Sequence, residues 1–172
     1  IINDTTTAYT GVITVENDVP RSGGIALFKH DKMYKTLDKD QSMGVMLIRG
    51  DTDIDAEVIP LTGKNKSFAL SQEKTEITVK VSKGVLYCDI LIKGEASVYE
   101  YTNQNKEQEK SIEQRLNKLA EEAVRVCADN SADVFDLGKR LRQSDYRVYR
   151  TIDNWPELVK NGVYTVKSTV SM

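Results

Sequence analysis

The chain has 172 residues, 40% of them apolar and 29% charged, with 24 basic against 26 acidic residues and a net charge of −2. That length buries a sizeable core as one domain. The balanced charge argues against a nucleic-acid partner, which would favour a basic surplus, and no apolar run is long enough to span a bilayer.

Residues Tyr9 to Val15 are rich in β-formers. Gly24 to Phe28 and Met33 to Leu37 flank a polar turn at His30-Asp31, which predicts a hairpin. Asp38 then starts a short helix, with Gln41 placed three residues on as in a capping box and Gly50 as the stop. Asp55 to Leu61 predicts a strand. Ile77, Val79 and Val81 alternate with polar residues, the period of a half-solvated strand. A turn at Lys83-Gly84 leads into a return strand from Val85 to Ile92, and Gly94 marks a bulge or bend before Ala96 to Tyr101.

Composition changes at Thr102. Ile112, Leu116, Leu119, Ala123 and Val126 recur at spacings of three and four, which predicts an amphipathic helix from near Lys106 to Ala128. A further helix is predicted from Asp133 to about Gln143, with Val134, Leu137 and Leu141 as its stripe. Another short helix is expected within Asp145 to Ile152. Trp155-Pro156 anchors a loop on the core, and Val163 to Ser171 forms a closing strand with Tyr164, Val166 and Val170 on one face. The expected class is α+β: an antiparallel sheet, helices clustered on one of its faces, and a final strand returning to the sheet.

Few residues suggest chemistry. His30 is the only histidine, so a histidine-rich metal site is excluded, and a turn position explains it. Asp51, Asp53 and Asp55 have the spacing that opens a calcium loop. Ala56 stands where the loop needs glycine and Thr62 where it needs glutamate, so a solvated loop is the better reading. Cys88 and Cys127 fall on apolar phases, as buried small hydrophobes do. Glu95 and Glu100 fall on opposite strand faces. No glycine-rich phosphate loop is present, and no catalytic, metal or cofactor residues are assigned. The distinctive cluster is basic: Lys139, Arg140, Arg142, Arg147 and Arg150 against one acid, Asp145. It suits anionic headgroups or an acidic partner, or else helix-end dipole compensation.

Two segments carry a resemblance. Residues 23 to 50 contain a G-x-A-x-F-x-x-D-K-x-x-x-x-L-D pattern. Residues 111 to 171 contain a charged amphipathic helix, then A-D-V-F-x-x-G (Ala132, Asp133, Val134, Phe135, Gly138), then W-x-x-L (Trp155, Leu158) and a final strand. Together they resemble the Ger(x)C family, the lipoprotein C subunits of spore germinant receptors. Tyr146-Arg147 departs from it where the family often has tyrosine followed by proline. The resemblance implies a non-enzymatic subunit acting through protein contacts in nutrient-triggered germination. Its partners would be the integral membrane A and B subunits. Its location would be the outward side of the spore inner membrane, held by an upstream palmitate-type lipid anchor absent from these residues, the present segment itself being soluble. The alternative is a module that binds the nutrient germinant. The chain starts at Ile1 without a basic or apolar leader, so it reads as a single C-terminal domain, residues 1–172, of a larger lipoprotein, with an alternative boundary near residues 50–55.

Overall fold

A computed structural model describes residues 7–29, 31–50, 54–61, 64–98 and 106–172; for residues 54–61, 64–66, 72 and 73 it describes the backbone only. His30, Asp51, Asp53 and Glu100 lie outside the described residues, as does the side chain of Asp55, and so do the boundary at residues 51–53 and the strand end at residues 99–101. The class is α+β, as the patterning predicts. The strands divide between two sheets rather than one, in the orders β1-β2-β3 and β4-β5-β6-β7.

The first sheet begins with β1 (Ala8–Glu16), which turns through Asn17 and Asp18 into β2 (Val19–Lys29). Both turn residues have positive φ, 50° and 62°, the twist-matched geometry of a two-residue hairpin. Strand β2 starts five residues before the predicted Gly24, through Val19 to Gly23, whose proline and glycine hide the strand from a reading of the pattern. Pro20 is tolerated there because it pairs only with Val15; β3 (Lys32–Leu37) reaches no further than Ile25.

Helix α1 (Lys39–Arg49) has the expected capping box: the Gln41 amide donates to Asp38 Oδ1 at 2.9 Å and the Asp38 amide to Gln41 Oε1 at 3.1 Å. Such a cap is worth about 1 kcal/mol. Gly50 stops the helix at φ 65°. Buried Ser42 ties helix to sheet, accepting from the Ile25 amide (2.9 Å) and donating to the Leu37 carbonyl.

The second sheet follows. Strand β4 (Ile54–Leu61) pairs with β5 (Lys64–Ser82), which turns at Lys83-Gly84 into β6 (Val85–Val98). The bend expected at Gly94 is a bulge on the partner strand: Ser71 and Lys74 face Glu95 and Lys93. A β-carbon on Gly94 would lie 2.7 Å from Leu70. Four helices then intervene: α2 (Lys106–Asp129), α3 (Leu137–Ser144), α4 (Tyr146–Tyr149) and α5 (Trp155–Lys160). They carry the chain back, so that β7 (Val163–Ser171) joins β6 in parallel, from Tyr87↔Val163 to Glu95↔Ser171 without a register shift.

The core lies between the helices and the inner face of β6, where Leu86, Cys88, Ile90 and Ile92 meet Ile112, Leu116, Ala120 and Cys127 of α2. Helix α1 packs on α2 and brings Val45, Leu47 and Ile48 into the same cluster. Gly44 sits at this crossing, where a β-carbon would lie 2.7 Å from Ala123 Cβ and overlap the Leu119 carbonyl. Arg115 of α2 forks both carboxylate oxygens of Asp40, at 3.1 and 3.2 Å, fixing the other end of the crossing. Both cysteines are buried and free.

A candidate functional site on a buried carboxylate

Helix α2 ends in a left-handed turn. Ser131 has φ 53°, its amide donates to Ala128, and the Ala132 amide donates to Cys127, which closes the last carbonyls of the helix. The chain then reaches Asp133. The expected helix does not start there. It starts at Leu137, after an N-cap residue, Asp136, whose side chain makes no capping bond and whose φ is 58°. Asp133 caps that helix from outside: its Oδ1 accepts from the Leu137 amide at 2.7 Å and its Oδ2 from the Gly138 amide at 2.9 Å. Oδ2 also accepts from Trp155 Nε1 at 3.0 Å.

Asp133 is 1% exposed and Trp155 7% exposed. Its backbone is used as well, because Thr7 and Asp133 exchange two hydrogen bonds of 2.9 Å. Arg49, at the end of α1, donates to the Val134 carbonyl at 2.7 Å, approaches Asp136 at 3.4 Å and lies over the Tyr9 ring. The Asp133 carboxylate therefore joins the starts of α3 and α5, its backbone holds the lead into β1, and Arg49 ties the end of α1 to the neighbouring Val134 and Asp136. Burial pushes the Asp133 carboxyl above its ordinary value, against the opposing pull of its three donors. The two buried thiols are pushed up to about 12 by burial, with the Asp133 charge adding to it. Neither is a thiolate at neutral pH, so neither is an activated nucleophile.

Around this joint, α3 buries Leu137, Gly138 and Leu141, which leaves its other positions outward. Lys139, Arg140 and Arg142 are exposed on α3, and Arg147 and Arg150 are exposed on and just after α4. The five expected residues are thus all exposed along the stretch that holds α3 and α4. They are not equivalent. Arg140 donates through Nε to the Phe135 carbonyl at 3.2 Å, inside the buried motif. Among the described residues, Lys139, Arg142, Arg147 and Arg150 make no ion pair. Tyr146 stands among them, 55% exposed. Trp155 is not in a loop; it opens α5, capped by Asn154, and its ring tilts against Tyr149 at 6.3 Å.

Sequence reasoning missed Asp133 as the organising residue. Its only signal was the co-occurrence of A-D-V-F-x-x-G with a tryptophan 22 residues on. It also missed a cleft of about 300 Å³ between the C-terminal half of α2 and the start of β7. No described helix is long and apolar enough to cross a membrane.

The family described as spore germination B3/GerAC-like, C-terminal, matches residues 23–172. Among solved structures, the crystal structure of the GerBC protein superposes with a TM-score of 0.85 at 15% identity, over 97% of this chain. At that identity the likeness concerns the fold. This chain spans 57% of that protein's length. No curated protein matches.

Proposed function

This chain belongs to the spore germination B3/GerAC-like C-terminal family, and on that premise we propose that it is a non-enzymatic domain of a spore germinant-receptor subunit that works through protein contacts. In this reading it is the C-terminal part of a longer lipid-anchored chain on the outward side of the spore inner membrane. Its basic α3–α4 surface meets an acidic surface of the integral membrane A or B subunit.

The observation that carries the reading is the division of labour around Asp133. The buried half of the motif holds the fold. Lys139, Arg142, Arg147 and Arg150 lie outside it, exposed and free of ion pairs among the described residues. Exposed cations of one sign raise encounter rates with an acidic surface and are screened by salt.

Reversing these four charges to glutamate, with Arg140 left in place, tests the proposal. The expected result is unchanged thermal stability, since exposed substitutions fall within about 0.5 kcal/mol. Co-purification with the membrane subunits should fall, and nutrient-triggered germination with it. Retention of both would remove the proposal. Vesicles of anionic and of neutral lipid form a separate arm: strong anionic-vesicle binding with intact subunit co-purification would reassign the surface to headgroups.

A further inference from the structure

Strand β7 ends its sheet, so one side of its backbone has no strand beside it. Half of that edge is covered. The Ser168 amide donates to Asn117 Oδ1 at 2.8 Å and the Val170 amide to Glu113 Oε1 at 3.1 Å, both on α2. Ser168 Oγ adds a bond to the Glu113 carbonyl. Backbone groups along a strand alternate in direction, so the amides and carbonyls of Tyr164 and Val166 point outward like those of Ser168 and Val170. There α2 leaves a cleft of about 300 Å³, lined by Val124, Arg125, Ala128, Gly162, Tyr164 and Val166.

An open edge is a pairing template unless charge, proline or a bulge blunts it. The exposed edge strand β3 carries Lys32 and Lys35. The free part of β7, Tyr164 to Val166, has no charge, no proline and no register shift. At the cleft, Arg125 lies 3.8 Å from Glu122, while Glu121 and Asp129 line the opening without an ion pair among the described residues. The opening therefore favours positive charge.

We propose that this edge is a docking site for an extended segment of another protein bearing lysine or arginine, which adds as a further strand beside Tyr164–Val166. Main-chain hydrogen bonds would supply affinity and the acidic opening would select the side chains. The site is distinct from the basic α3–α4 surface and takes a partner of opposite charge, so each stands or falls separately.

The test is an amide-resolved NMR titration with an acetylated, amidated hexapeptide in which lysine alternates with threonine and valine. Expected are shifts at Tyr164 and Val166, roughly tenfold weaker binding of the same peptide with glutamate for lysine, and loss of binding when every second peptide nitrogen is methylated. Val166→Pro, which removes an outward amide without touching the ladder to β6, should abolish the shifts. The exposed double variant Glu121→Lys, Asp129→Lys should weaken binding and does not depend on the proline being tolerated. Silence at Tyr164 and Val166 up to millimolar peptide, equal binding of both peptides, or indifference to methylation would overturn the proposal. So would a concentration-dependent dimer that Val166→Pro dissolves, because a second copy of the chain would then be the occupant.

Discussion

Replacing Asp133 with alanine should cost roughly 3–5 kcal/mol of stability, the lower part of what three unsatisfied buried donors at about 1–3 kcal/mol each would give, and urea denaturation would measure it. Three donors lose their acceptor at once: the Leu137 and Gly138 amides and Trp155 Nε1. Each buried donor left unsatisfied costs about 1–3 kcal/mol. The loss is concentrated because α3 has no other side-chain cap. With a total stability of about 5–15 kcal/mol for an ordinary domain, the variant should lie near its unfolding threshold. Lys139→Ala, six positions along on the exposed side of α3, should change stability by less than about 0.5 kcal/mol.

The pH dependence reports the burial of the same group. The folded carboxyl of Asp133 has its pKa raised above the ordinary value of 3.8, chiefly by burial. The folded state therefore holds the proton more tightly than the unfolded chain. The resulting stabilisation is fully present below the unfolded pKa and is lost as pH rises through the folded one. An asparagine side chain at this position cannot titrate. The stability of wild type relative to Asp133→Asn should thus decline with rising pH from about 4 and level off once the folded carboxyl is ionised. A difference independent of pH would show that Asp133 titrates normally in the fold.

Gly44→Ala is the second large effect, and it runs against helix propensity. Alanine in a helix interior gains about 1 kcal/mol over glycine. Here the added methyl would lie 2.7 Å from Ala123 Cβ and overlap the Leu119 carbonyl. A backbone oxygen cannot rotate away, so α1 must move off α2. That shift pulls Val45, Leu47 and Ile48 from the shared core and loosens the Arg115–Asp40 fork. Overpacking of this kind costs about 1–3 kcal/mol or more, so the net outcome is destabilisation, read as a fall in thermal midpoint. Gly44→Val should be worse. A gain in stability would mean the two helices can separate freely.

These two residues show where sequence reasoning reached and where it stopped. Features set by a few neighbouring residues were legible: the Asp38/Gln41 box, the stop at Gly50, the Lys83-Gly84 turn and the apolar stripe of α2. The role of Asp133 was not, because its third donor lies 22 residues away and a carboxylate can cap a helix it does not immediately precede. The early start of β2 was hidden because Pro20 is acceptable only where a strand has a single neighbour. The parallel pairing of β6 with β7 depends on how far the four helices carry the chain, which no local pattern records. The basic residues were legible as composition. That Arg140 belongs partly to the buried motif depends on its bond to the Phe135 carbonyl.

The central claim is that the α3–α4 surface meets a protein of the receptor complex. Site-specific photo-crosslinking tests it most directly, with a photoreactive residue in place of exposed Arg147 in the full-length protein within dormant spores. The account predicts a crosslinked product containing an integral membrane receptor subunit, reduced when Lys139, Arg142 and Arg150 are reversed to glutamate. Crosslinks to lipid alone, or none at all in spores whose receptor assembles and responds normally, would contradict it.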